Sequence, residues 1–303
     1  MPLLFDAATA VFEDVKERQA RGGDMLMGLP TGFRDLDYAL GGWRIDNMYT
    51  LGGPSGAGKT AAAVSMAIET CKAGHTIVYV SLEMSAGLMA LRIISGETGI
   101  PALRLERGKI SDDQLKQVEE AVERLQDYKF HVLDQSYTSK KLMEVAYGYK
   151  DKDELDFLIV DYASLLRNTD GVSLYEKETN ISLDMREIAR VAQIPVLTLV
   201  QLNRNRVGRE NKKPVISDIK QTGGYEQDSS AVLFIHRPYV DKMLTEGEPA
   251  VDKEEDALIL LAKNRHGPAN VEFNVDFYPK QMRWADKMVD DTPPPHPEKR
   301  KGD

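Results

Sequence analysis

The chain has 303 residues, with 39 Lys and Arg against 48 Asp and Glu, a formal charge of −9 and one cysteine. That length holds one large core or two modest ones, and a single thiol, Cys71, excludes an intrachain disulfide and fits a reducing cytoplasm. No apolar run approaches the ~20 residues that span a bilayer, the first residues lack the cationic-then-apolar order of a secretion signal, and any nucleic-acid site on so acidic a chain must be local.

Residues 5–21 (FDAATAVFEDVKERQAR) predict one helix with an apolar stripe of Phe5, Ala8, Phe12 and Val15, ended by Gly22-Gly23. Such a stripe needs cover, either from the chain's own core or from a neighbouring subunit. From Leu29 onward short apolar runs alternate with helical patterns. Strands are predicted at 47–52, 76–81, 129–133, 156–161, 195–200, 231–235, 257–262 and 270–277. Several are apolar throughout, as expected of a sheet covered on both faces. An Ala-rich helix at 61–74 stops at Gly74. The clearest helix is 112–126, where Ser111 and Gln114 form a capping box and Leu115, Val118, Val122 and Leu125 share one face. The alternation predicts an α/β fold with a central, mostly parallel sheet flanked by helices. The last two strands flank the turn-rich segment 263–269 and predict a C-terminal β-hairpin. Beyond Trp284 the chain becomes Pro-rich and charged, a composition that does not fold alone.

Between the first of these strands and the helix at 61–74 stand Gly53, Pro54, Ser55, Gly56, Ala57, Gly58, Lys59 and Thr60, a complete G-x-x-x-x-G-K-[ST] phosphate-binding loop. Gly56 and Gly58 let the backbone curl so that its N–H groups face phosphate oxygens, and the following helix adds the positive end of its dipole. Lys59 reaches the β- and γ-phosphates of a triphosphate such as ATP, and the Thr60 hydroxyl ligates Mg2+.

The run FLIV ends in Asp161, which puts a carboxylate at the carboxyl edge of a buried strand, where it can hold magnesium. Glu83 follows the strand at 76–81 at an equivalent edge, either polarising the attacking water or lying as an exposed loop glutamate. Gln201 ends the strand at 195–200 and can sense the γ-phosphate by hydrogen bonding. The five histidines show no ligand spacing, and His236 is a strand-end residue.

Taken together, GLPTGFRDLDYALGG (28–42), GGPSGAGKT, SLEMS, LIVDY, QLNR, SDIKQTGGYEQDS and KNRHGP stand in the order found in DnaB-type hexameric replicative helicases. The chain resembles the RecA-like ATPase domain of that family over about residues 25–285. The resemblance implies a RecA-like P-loop fold, a homohexameric ring and translocation on single-stranded DNA, 5′ to 3′, with primase and a helicase loader as possible partners. It implies that Lys59 and Thr60 bind triphosphate and magnesium, Asp161 holds the metal, Glu83 activates water and Gln201 couples nucleotide state to DNA contact. Lys263 and Arg265 match the family's finger, which enters the neighbouring subunit's site. It also divides the chain into a linker helix at 1–24, the ATPase domain at 25–286 and a disordered tail at 287–303, with the family's globular N-terminal domain expected to be absent. Ala163-Ser164 replace the family's Leu-Gln after the Asp-Tyr pair, and Lys220-Gln221-Thr222-Gly223 replace its usual Arg-Glu-Ser-Gly.

Nucleic acid has two candidate contacts. Residues 204–213 carry Arg204, Arg206, Arg209, Lys212 and Lys213 against the single acid Glu210, a run that either tracks phosphates or is a solvated surface. Lys220, Gln221, Thr222 and Gly223 form the second, where glycine permits close backbone approach. Neither has interleaved aromatics, so base stacking is not implied. A filament-forming strand-exchange ATPase and a regulatory ring ATPase without translocation remain the alternatives on the same fold.

Overall fold

Alternating burial on two faces is what makes the strands read as unbroken apolar runs. In the computed structural model, which describes residues 3–20, 22, 26–167, 173–203, 209, 211–219, 223–240 and 254–287, nine strands form one sheet. They are β1 (Met48–Gly53), β2 (Ile77–Ser81), β3 (Phe130–Leu133), β4 (Phe157–Asp161), β5 (Val196–Gln201), β6 (Ala231–His236), β7 (Glu255–Asn264), β8 (Val271–Tyr278) and β9 (Arg283–Asp286). The order is β3-β2-β4-β5-β1-β6-β7-β8-β9, parallel from β3 to β6 and antiparallel from β6 onward.

Successive side chains point to opposite faces. Ile77 and Tyr79, Phe157 and Ile159, and Leu197 and Leu199 pack with the helix α3 (Lys59–Lys72) on one face. Val78 and Val80, Leu158 and Val160, and Val196 and Val200 pack with α8 (Leu174–Ala192) on the other. The remaining helices are α1 (Leu4–Ala20), α2 (Arg34–Leu40), α4 (Ala86–Thr98), α5 (Ala102–Glu106), α6 (Asp112–Leu125), α7 (Ser139–Lys150) and α9 (Gly223–Asp228).

All eight predicted strands form within a residue or two of their expected bounds, and Ser111 and Gln114 make the expected capping box on α6. The expected hairpin is β7–β8, but it carries a further strand, β9. Nor did the chain's patterning single out α4, α7 or α8, although α8 has its own capping box at Ser173 and Glu176. Helix α1 does not cover its stripe with the chain's own core: Phe5, Phe12 and Val15 are 76%, 60% and 55% exposed. The tail beyond Lys287 lies outside the described residues.

Candidate active site

A parallel sheet gathers the ends of its strands on one edge, and here that edge collects the predicted chemistry. Gly53 lies in register with Gln201 across β1 and β5, and Ser81 with Asp161 across β2 and β4. Glu83 follows β2 by two residues. Lys59, Thr60, Glu83, Asp161 and Gln201 all line one cavity of about 350 Å3.

The phosphate loop needs its glycines. Gly56 and Gly58 take φ of 75° and 91°, in the left-handed region, and Gly58 caps α3. A Cβ at Gly58 would also lie 3.2 Å from Trp284 Nε1. The Ala57 N–H closes a turn on the Pro54 carbonyl at 3.2 Å. Lys59 folds back on the loop, donating to the carbonyls of Gly53 at 2.9 Å and Pro54 at 3.1 Å. Burial lowers its pKa from the ordinary lysine value, opposed by the charges of Asp161 and Glu83.

Asp161 is 2% exposed. Burial raises its pKa above the usual carboxylate range, and hydrogen bonds from Thr60 and Tyr79 and the charge of Lys59 oppose that rise. The paired Thr60 hydroxyl and Asp161 carboxylate are hard oxygen donors that fit magnesium. Among the described residues no group of three or more His, Cys, Asp or Glu could hold a metal.

Sequence patterning missed three residues that the fold adds here. Arg92 on α4 and Met282 in the β8–β9 turn line the same cavity, and Tyr79 holds Asp161. No motif marks them, since Tyr79 sits inside an apolar strand and Arg92 on an ordinary helix. A cavity of about 600 Å3 adjoins, sharing Ala61, Arg92 and Met282, but it contains neither the loop lysine nor the carboxylates Glu83 and Asp161.

Lys263 and Arg265 do not line this cavity. They cap the end of α9 instead: Lys263 donates to the carbonyls of Glu226 and Ser229, and Arg265 to that of Gln227. Of the nucleic-acid candidates, Arg204, Arg206, Lys220, Gln221 and Thr222 lie outside the described residues. Arg209 pairs with Asp218, and Lys213 pairs with Glu272, partners that the cationic run itself did not reveal. Lys212 is described on the same loop, and Gly223 begins α9. Leu202 bridges Ile219, and the Asn203 N–H donates to the Asp218 carbonyl at 2.7 Å. Both candidate loops therefore spring from one point beyond β5.

Residues 28–286 match the family described as DnaB-like helicase C terminal domain. The chain belongs to that family. This DnaB-like domain is 30% identical over 310 residues to the replicative DNA helicase DnaB of Helicobacter pylori (strain ATCC 700392 / 26695), covering 91% of this chain and 63% of that protein. It is 32% identical over 263 residues to a probable plasmid replicative DNA helicase of Chlamydia trachomatis, covering 85% of this chain and 55% of that protein. The chain thus spans less than two thirds of the length of these curated relatives. A solved structure described as an ATPase domain superposes with a TM-score of 0.85 at 21% identity, over 95% of this chain and all of that one. A DnaB-like replicative helicase, studied for its interactions with primase, superposes with a TM-score of 0.82 at 21% identity, over 95% of this chain and 68% of that one. The RecA-like fold expected from the motifs is therefore the fold of this DnaB-like domain, and nucleotide binding is implied with it. No helix among the described residues is long and apolar enough to cross a membrane.

Proposed function

We propose that the chain is the ATP-driven motor of a replicative DNA helicase, a hexameric ring that moves 5′ to 3′ on single-stranded DNA in the cytoplasm and unwinds duplex. The observation that carries this reading is the meeting of Lys59, Thr60, Glu83, Asp161 and Gln201 in one cavity of a DnaB-like domain. Lys59 leaves the Gly53 and Pro54 carbonyls for the β- and γ-phosphates, and the loop amides cradle their oxygens. Thr60 and Asp161 would hold magnesium, which would supply positive charge beside the phosphoryl group when bound. Glu83 orients and polarises the attacking water, and Gln201 hydrogen-bonds the γ-phosphate and relays its presence to the loops beyond β5.

The absence of Lys263 and Arg265 from their own chain's cavity supports a finger that acts in the next subunit. A cation supplied there is worth about 10³–10⁵ in rate. The exposed stripe of α1 supports a linker helix that docks on the neighbouring domain. Residues 204–213 and 220–223 are the candidate contacts for single-stranded DNA. Primase and a helicase loader are further candidate partners.

The test is steady-state ATPase activity with and without single-stranded DNA, on material whose mass is read in the same buffer. Strong stimulation at a six-subunit mass supports the ring motor. Filaments on DNA would favour strand exchange, and ATPase activity indifferent to DNA would favour a regulatory ring.

A further inference from the structure

The carbonyls of a phosphate loop point away from the phosphates when its amides point toward them, so they too need partners. We propose that Arg237 and Trp284 are positioning residues that hold the outward carbonyls of the loop from behind and so fix its turn and aim the Lys59 amide. The proposal rests on the reading of the loop as the nucleotide site.

Both residues come from the antiparallel end of the sheet, far from the motif in sequence. Arg237, just after β6, forms a fork with Glu255 at the start of β7: Nε donates to Oε2 at 2.9 Å and Nη2 to Oε1 at 2.8 Å. Both side chains are nearly buried, at 10% and 5% exposure. The guanidinium lies 4.0 Å from the ring centroid of Phe277 on β8, which fixes its plane. Its remaining nitrogen, Nη1, donates to the carbonyl of Gly56 at 3.4 Å. Phe277 in turn packs on Trp284 of β9, centroid to centroid 5.2 Å. The Gly58 carbonyl accepts the Ala62 N–H of α3 at 2.9 Å, and on its second lone pair the Trp284 indole N–H at 3.1 Å; the Trp284 backbone N–H donates to Ser65 Oγ on α3 at 3.0 Å.

A trans peptide is planar, with C=O and N–H on opposite sides. Drawing the Gly58 carbonyl toward Trp284 therefore turns the Lys59 N–H the other way, to the side where phosphate binds. Drawing the Gly56 carbonyl toward Arg237 sets the Ala57 N–H on the Pro54 carbonyl at 3.2 Å, which fixes the turn of the loop rather than a phosphate donor. An amide aimed before the ligand arrives needs no reorganisation on binding, so these contacts act on nucleotide affinity.

Two variants test this. Trp284→Phe keeps a packed ring and removes the N–H donor. Removing Arg237 alone would leave Glu255 buried without a partner, so the second variant is the double Arg237→Gln/Glu255→Gln. We expect each to raise KM for ATP about tenfold, the effect of losing about 1.4 kcal/mol in binding, with kcat changed less than twofold. A second readout is spectroscopic. The chain has two tryptophans, both buried, and the indole of Trp284 bonds the phosphate loop at Gly58, so a saturable ATP-induced change in emission is assigned to Trp284 and disappears in Trp284→Phe. KM values within twofold of the unmodified chain, with a lowered melting temperature, would make these residues a brace of the fold alone and overturn the proposal. An unmodified chain that fails to bind ATP overturns instead the nucleotide-site reading beneath it.

Discussion

Tyr79 donates its phenolic hydrogen to Asp161 at 2.8 Å across the neighbouring strands β2 and β4, so a buried phenol holds the carboxylate that also bonds Thr60. Burial is the larger influence on Asp161 and raises its pKa above 3.8, while the Tyr79 and Thr60 bonds pull it down. A folded-state value above the unfolded one contributes stability below the unfolded pKa, and that contribution is lost as pH rises through the folded value. Metal binding runs the other way, because magnesium needs the ionised carboxylate. Tyr79→Phe should therefore move the acid limb of magnesium-nucleotide binding to higher pH. A binding titration across the acid range reads this, and an unmoved limb would sink the assignment of Asp161.

Lys59 should burden the nucleotide-free fold. Its pKa is lowered from 10.5, first by burial, so its contribution to stability is present above that value and lost as pH falls through the folded value. Lys59→Met should lower ATP turnover by about 10²-fold or more, as loss of an electrostatic stabiliser does. It should also remove the rise in melting temperature on adding ATP, and leave the nucleotide-free melting temperature unchanged or higher. Retained protection by ATP would contradict the site.

Arg92 lines the same cavity from α4 and is close enough to lower the pKa of Tyr79 against the dominant effect of burial. A nucleotide bound in that cavity would meet this guanidinium, and a hydrogen bond to a charged group is worth about 1.5–3 kcal/mol. Arg92→Ala should raise KM for ATP about tenfold or more. An unchanged KM would leave Arg92 a lining residue only.

Mixing tests whether the proposed site is shared between subunits. Lys59→Ala and Arg265→Ala chains should each be impaired alone and regain turnover when mixed. In mixed rings some sites pair an intact Lys59 with an intact Arg265 from the next subunit. Strict absence of rescue in assembled mixed rings would argue against a finger acting in trans.

Assembly should depend on α1. Phe5 and Phe12 are exposed on one stripe of the helix, so Phe5→Asp with Phe12→Asp should lower the assembled mass without loss of far-UV helical signal. An unchanged six-subunit mass would remove α1 from the interface.

Legibility followed distance along the chain. The phosphate loop was readable because its eight residues are consecutive, and Asp161 because it ends an apolar strand. The strands were readable because burial on both faces leaves almost no polar residue in β2 or β4. Strand β9 was not. It has four residues, Arg283–Asp286, and exists through pairing with β8 and the contacts of Trp284 with α3. The cationic run at 204–213 was legible as charge, but not the acids Asp218 and Glu272 that engage Arg209 and Lys213.

By itself, then, the sequence determined the α/β class, the strand positions, the glycine-rich loop between β1 and α3 and the place of Asp161 at a strand end, because each is encoded by local pattern or by a contiguous motif. Only the tertiary structure decided what surrounds them. Tyr79 reaches Asp161 across 82 residues, Arg237 reaches Gly56 across 181, and Trp284 reaches Gly58 across 226. No periodicity carries such pairings, since they arise from the order in which the sheet sets its strands side by side.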